Sequence, residues 1–260
     1  MNSSPEKIRR RGIFLLPNLL TTAALFAGFY SIVAAVDGNF ERAGAAIFVA
    51  MVLDSLDGRV ARLTMTSTQF GKEYDSLSDM VSFGLAPAIV VYQWGVARLS
   101  EWNATWGRVG WLVAFLFAVA AALRLARFNS QVSSADKRWF IGLPSPSAAG
   151  VVAAWVWFCS KFEVAGLGGL AGAFLITAVA GALMVSDFRY YSFKEINFGR
   201  RIPFTWMLGI PLIFMVISID PPLVFLVMFG IYALTGPVRW LWRRQRAEPE
   251  SASGAVDDDE

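Results

Sequence analysis

Four aspartates fall within the stretch DSLDGRVARLTMTSTQFGKEYDSLSD, which runs from Asp54 to Asp79. Asp54 and Asp57 are three residues apart and Asp75 and Asp79 four apart, so on helices each pair shares a face. Carboxylates can ligate a hard cation, pair with a cationic side chain or take a proton from a hydroxyl. Four of them in one pocket cannot all stay ionised alone; protonation, an arginine or a divalent cation relieves the repulsion. The chain contains no histidine and a single cysteine, Cys159. Any metal is therefore held by oxygen ligands, which suits Mg²⁺, Mn²⁺ or Ca²⁺. A general base must be a carboxylate, a lysine or a tyrosine. One cysteine also excludes an intramolecular disulfide and any multi-thiolate metal site, and its setting, AAWVWFCS, points to inert packing.

The elements that must position these acids are apolar. Residues of the AVILMFWYC set make up 56% of the 260 positions and charged residues 17%, against about 45–50% and about 25% in soluble domains. This composition predicts an all-α integral membrane protein. Eight apolar segments are long enough, or nearly so, to span a bilayer at about 20 residues each: 13–36, 42–63, 72–95, 107–127, 145–162, 166–186, 203–219 and 221–238. Their links are short, so 13–238 reads as one transmembrane catalytic domain behind a basic N-terminal segment, 1–12. Residues 239–260 read as a basic flank followed by a disordered acidic tail. The first apolar run has no small-residue cleavage site and leads directly into further spans, unlike a removable signal peptide.

Basic residues set the orientation. With eight spans, both termini lie on one side, together with the links around 59–72, 124–138 and 189–201. That side collects nineteen of the twenty-three lysines and arginines, leaving Arg42, Arg98, Arg108 and Lys161 opposite. Both termini are thus expected in the cytoplasm. The net charge of +3 follows from this bias and calls for no nucleic acid partner. The second segment then runs inward, with Asp57 roughly 9 Å from its cytoplasmic end at 1.5 Å per residue, and the third begins near Lys72. The short link makes these two antiparallel neighbours, so all four aspartates converge just below the cytoplasmic surface. Gly58 and Ala61 share the face of Asp54 and Asp57 and leave room for a bulky group. Charges at membrane depth are costly and usually functional.

The pattern Asp54-x2-Asp57-Gly58-x2-Ala61-Arg62-x8-Gly71-x3-Asp75-x3-Asp79 resembles the complete signature of the CDP-alcohol phosphatidyltransferases. The resemblance implies that family's fold and a membrane enzyme that moves a phosphatidyl group from a CDP-linked lipid to an alcohol, releasing CMP. It further implies that Asp54, Asp57 and Asp75 hold Mg²⁺ or Mn²⁺. Asp79 would be the general base and a further metal contact. Gly58 and Ala61 would lie beneath the nucleotide, with Gly71 also on the CDP-lipid side, and Arg62 would pair with phosphate or fix an aspartate. The chemistry asks for such a set: a pyrophosphate must be neutralised before an alcohol oxygen approaches phosphorus, and an aliphatic hydroxyl needs a base.

Four other stretches, LPNLLTTAALFAGF (16–29), SFGLAPA (82–88), RLARFN (124–129) and FIGLPSPSAAG (140–150), resemble the bacterial phosphatidylserine synthase branch of that family. This likeness implies CDP-diacylglycerol and L-serine as substrates, a multi-pass protein of the bacterial inner membrane with its site at the cytoplasmic face, and a homodimer. Arg124, Arg127 and Asn129 would bind serine or donor phosphate. Asn18 and Thr21 would contact the nucleotide or serve in packing, and Arg189 or Lys194 would reach a phosphate or rest on anionic lipid. Glycerol 3-phosphate or an inositol phosphate remains open as acceptor. A divalent-cation transporter would also gather aspartates, but near the bilayer midplane with access from both sides, whereas here they hug one end.

Overall fold

The computed structural model describes residues 5–65, 68–101, 103–130, 139–164, 166–191 and 204–253. All eight apolar segments form helices. Helix α1 (Pro5–Val36) leads through a turn at Gly38 into α2 (Phe40–Leu63), and the two pack along one another more extensively than any other pair. The third segment is a continuous path with three parts: α3 (Gln69–Asp79), a π-helical stretch (Met80–Leu85) and α4 (Ala86–Trp94). A short 3₁₀ turn (Val96–Glu101) precedes α5 (Ala104–Ser130), which is followed by α6 (Ser145–Lys161), α7 (Leu167–Val185), α8 (Phe204–Ile219) and α9 (Pro221–Ser253).

Among the described residues, four helical stretches are long and apolar enough to cross a membrane: Leu16–Val36, Ala104–Ser130, Leu167–Val185 and Pro221–Trp242. The other four segments fall short for visible reasons. Charged residues crowd the C-terminal half of α2, the third segment is interrupted after Asp79, and α6 and α8 have 17 and 16 residues. The last helix continues to Ser253, through the basic flank and into the stretch whose composition suggested a tail. Arg, Gln, Ala and Glu in that stretch are all good helix formers.

The fold is mostly helical, and one feature departs from the all-α expectation. β1 (Trp139–Ile141) and β2 (Arg189–Tyr191) pair antiparallel, with Phe140 opposite Tyr190. The backbone turns at Gly142, at φ +79°, where a Cβ would collide with the Met184 carbonyl. Tyr190 is fully buried and donates its hydroxyl to the Ala233 carbonyl at 3.0 Å, while Tyr232 donates to the Tyr191 carbonyl at 3.0 Å. The two-stranded sheet is thereby bolted to α9. Burial, with Tyr232 adding to it, pushes the Tyr190 hydroxyl above its ordinary range and keeps it a neutral donor. Helical periodicity could not reveal strands of three residues.

Small side chains set the packing. Helix α2 packs on α6, with Ala43 and Ala50 of the one and Ala149, Ala153 and Ala154 of the other buried in one core, where Phe83, Phe117 and Ile47 fill the larger spaces. Such residues let helix backbones approach closely, the usual solution where lipid tails offer no hydrophobic drive for helix association.

Candidate active site

Two helices bring the acids together. Asp54 and Asp57 lie about four to five turns into α2, Asp57 buried and Asp54 half-buried; Asp75 and Asp79 lie in the second half of α3. Thr68 starts α3 by accepting a hydrogen bond from the Gly71 amide at 3.0 Å, an N-cap that fixes where the helix begins. One oxygen each from Asp54, Asp57 and Asp75 lies within 4.8 Å of the others. Ligand atoms on opposite sides of one Mg²⁺ or Ca²⁺ stand about 4–5 Å apart, so this all-oxygen group fits a hard divalent cation. Asp79 is outside that trio; its side chain lies against Asp54, with Asp75 and Arg124 as its other charged neighbours.

The interruption of the third segment follows directly on Asp79. Ala86 donates its backbone N–H to the Val81 carbonyl, five residues back. Pro87 has no N–H to give Phe83, and its ring would crowd that carbonyl in an α-helix. The Gly/Pro stretch SFGLAPA thus produces a π turn, which widens the helix one residue beyond the fourth aspartate.

Helix α1 fastens both acid-bearing helices. The buried Thr21 hydroxyl stands 2.7 Å from Asp57 Oδ2, with the Pro17 carbonyl as a second acceptor at 3.1 Å. Ser78 donates to the Thr21 carbonyl at 3.3 Å and Ser82 to the Ala24 carbonyl at 3.2 Å. Thr22 and Tyr74 share a hydrogen bond of 3.0 Å. Asn18 sits over the start of α3, its Oδ1 3.4 Å from where a Cβ on Gly71 would stand.

The C-terminal end of α5 presents three polar residues. Arg124 donates from Nη1 to Ser145 Oγ at 2.6 Å, while its buried Nε makes no protein hydrogen bond. Arg127 pairs with Asp187 at 2.7 Å, and Asn129 donates to Ser76 Oγ at 2.9 Å. Arg62 is exposed in the last turn of α2 and is a charged neighbour of Asp57; Ala61 beside it is half-buried. A Cβ on Gly58 would stand 3.6 Å from Arg62 Nη1.

The structure therefore gathers Asp54, Asp57, Asp75, Asp79, Thr21 and Arg124 around one centre. Arg127 is turned toward Asp187, Arg189 is exposed in β2, and Lys194 lies outside the described residues. Three serines escaped the sequence reading: Ser76, Ser78 and Ser145. Ser76 and Ser78 flank the acids of DSLSD, and only their spacing from Asp75 and Asp79 hinted at neighbours across the helix. Ser145 follows a proline at a helix start, which reads as local capping until Arg124 is seen beside it.

Residues 14–188 match the CDP-alcohol phosphatidyltransferase family, and this chain belongs to it. It is 36% identical, over 231 residues, to the CDP-diacylglycerol–serine O-phosphatidyltransferase of Helicobacter pylori, covering 88% of this chain and 92% of that one. It is 40% identical over 147 residues to the protein of that name in Mycobacterium tuberculosis, a match covering 54% of this chain and 49% of the relative. The archaetidylserine synthase of Methanothermobacter thermautotrophicus is 37% identical over 178 residues, 67% of this chain and 69% of that one.

Proposed function

We propose that this chain transfers the phosphatidyl group of CDP-diacylglycerol to the hydroxyl of L-serine, giving phosphatidylserine and CMP. The observation that carries the reading is the carboxylate trio of Asp54, Asp57 and Asp75 with Asp79 alongside, in a family member whose near full-length relatives bear the serine-transferase name.

Asp54, Asp57 and Asp75 hold the divalent cation, Mg²⁺ or Mn²⁺. When bound, the cation neutralises charge on the pyrophosphate. Asp79 accepts the proton of the serine hydroxyl as its oxygen bonds to the lipid-bearing phosphorus. The bond from that phosphorus to the bridging oxygen breaks, and CMP leaves with the electron pair. Gly58 and Ala61 keep the α2 surface low where the nucleotide lies, with Asn18, Thr21, Gly71 and Arg62 around it. Arg124, Arg127 and Asn129 supply cationic and polar groups for the serine carboxylate or the donor phosphate. Arg124 is the best placed of these, beside Asp79 and with a buried donor to spare.

The eight helical segments cross the inner membrane of a bacterium with both termini in the cytoplasm, and two chains pair through lipid-facing surfaces. The diacyl tails stay in lipid while the CDP head and serine meet at the cytoplasmic face. The test is CMP release by purified protein in detergent with CDP-diacylglycerol and Mn²⁺ or Mg²⁺, offering L-serine, glycerol 3-phosphate, inositol 1-phosphate or no acceptor. Serine-dependent release that a chelator abolishes is expected. Release with another acceptor would leave the aspartate chemistry standing and overturn the serine assignment.

A further inference from the structure

We propose that Thr21 is the positioning residue of the metal site: its hydroxyl orients Asp57 while its carbonyl holds α3 in register, so this one residue joins the two halves of the carboxylate cluster. The inference rests on the reading of Asp54, Asp57 and Asp75 as cation ligands.

Thr21 Oγ1 has one proton and two acceptors in reach, Asp57 Oδ2 at 2.7 Å and the Pro17 carbonyl at 3.1 Å. The closer acceptor is the carboxylate, and a hydrogen bond to an ionised oxygen is about twice as strong as a neutral one. The proton therefore goes to Asp57. Both residues are 4% exposed, so solvent competes little for the bond. A carboxylate on a helix otherwise turns about its last torsion with little restraint. Fixing that torsion in advance is what hydrogen-bonded partners of metal ligands do elsewhere, and their loss lowers metal affinity by about 10–100-fold.

The backbone of the same residue holds the other helix. Ser78, next to Asp79 and three residues after Asp75, donates to the Thr21 carbonyl at 3.3 Å. Asp57 on α2 and the acids on α3 are thus referred to one point on α1. The sequence left Thr21 between a nucleotide contact and a packing role; its hydroxyl bonds Asp57 in either case.

The experiment measures Mn²⁺ binding by the full chain in detergent, reading loss of the free-ion paramagnetic resonance signal without substrate. Thr21→Val keeps the shape and removes the hydroxyl; Thr21→Ser keeps the hydroxyl. Expected are an affinity at least about tenfold weaker in Thr21→Val and recovery to near the unmodified value in Thr21→Ser. Thr21→Ala is measured alongside, so that a poorly folded valine variant still leaves a hydroxyl-free protein to compare with serine. Equal affinity in the hydroxyl-free and serine variants would overturn the proposal. Asp57→Asn separates the two levels: if it binds Mn²⁺ normally, the ligand assignment itself fails and Thr21 falls with it. If Asp57→Asn loses binding while the hydroxyl-free variants keep it, only the role of Thr21 is refuted.

Discussion

Arg124 Nη1 lies 2.6 Å from Ser145 Oγ, which ties the C-terminal end of α5 to the first turn of α6. The same guanidinium is a charged neighbour of Asp79, and its Nε is buried without a protein partner. A planar fork held at one corner by Ser145 keeps its remaining donors aimed, whereas a lysine has a single mobile ammonium. Arg124→Lys is therefore expected to lower kcat/KM for serine by about 100-fold, more than charge alone would explain. Ser145→Ala, which frees the fork but keeps the charge, is expected to lose about tenfold, the equivalent of roughly 1.4 kcal/mol. Steady-state CMP release with serine varied checks both. Equal rates in Arg124→Lys and the unmodified chain would remove Arg124 from the acceptor site.

The roles of the acids separate by binding against turnover. Asp79 stands outside the carboxylate trio, so Asp79→Asn is expected to keep Mn²⁺-dependent binding of CDP-diacylglycerol. Its rate should fall by at least about 10²–10⁴-fold, the usual value of a general base. Asp57→Asn removes a member of the trio and should weaken binding and turnover together. Near-normal turnover in Asp79→Asn would refute the base assignment, whatever its effect on binding.

Much of this was legible in the sequence because the signature is local. Asp54 and Asp57 on one helix and Asp75 and Asp79 on the next were bound to meet once the link between them was short. The helical segments were equally visible, since apolar runs bounded by charge need no tertiary information. What the sequence hid are the long-range hydroxyl bonds. Thr21 to Asp57, Ser78 to the Thr21 carbonyl and Arg124 to Ser145 join residues 36, 57 and 21 positions apart. A serine or threonine in a helix has a local acceptor four residues back, as Thr22 does on Asn18, so its type alone never says whether it reaches across. The two-stranded sheet was hidden for another reason: three-residue strands carry no periodicity, and only the pairing of Tyr190 with α9 gives them a purpose.

That pairing has a signature in pH. Tyr190 is fully buried and its hydroxyl is pushed above its ordinary range, chiefly by burial. A group whose pKa is raised on folding contributes stability that is present below its unfolded value, about 10 for tyrosine. That contribution is lost as pH climbs above it. Thermal unfolding in detergent should show a decline above about pH 10 that Tyr190→Phe reduces. At neutral pH the same substitution leaves the Ala233 carbonyl without its donor and should cost about 1 kcal/mol. A pH profile unchanged by Tyr190→Phe would mean that the hydroxyl is not held as described.

Two glycines distinguish damage to the site from damage to the scaffold. A Cβ on Gly28 of α1 would collide with Ser82, including the Ser82 Cα at 2.8 Å. Backbone cannot swing aside as a side-chain tip can, so Gly28→Ala must push α1 away from the π stretch that follows Asp79. A Cβ on Gly236 of α9 would collide with the Tyr190 ring, far along the chain from the acids and against a residue of β2. Both substitutions overpack a tight contact and are expected to cost about 1–3 kcal/mol of stability. They should differ in metal affinity. Separating α1 from the π stretch strains the Ser82–Ala24 and Ser78–Thr21 bonds, so Gly28→Ala should weaken Mn²⁺ binding by several-fold. Gly236→Ala should lower the unfolding temperature alone. If both variants lost stability but bound Mn²⁺ like the unmodified chain, α1 would be a structural support that does not reach the carboxylates. A selective loss in Gly28→Ala would instead make the register between α1 and the third segment a determinant of the site.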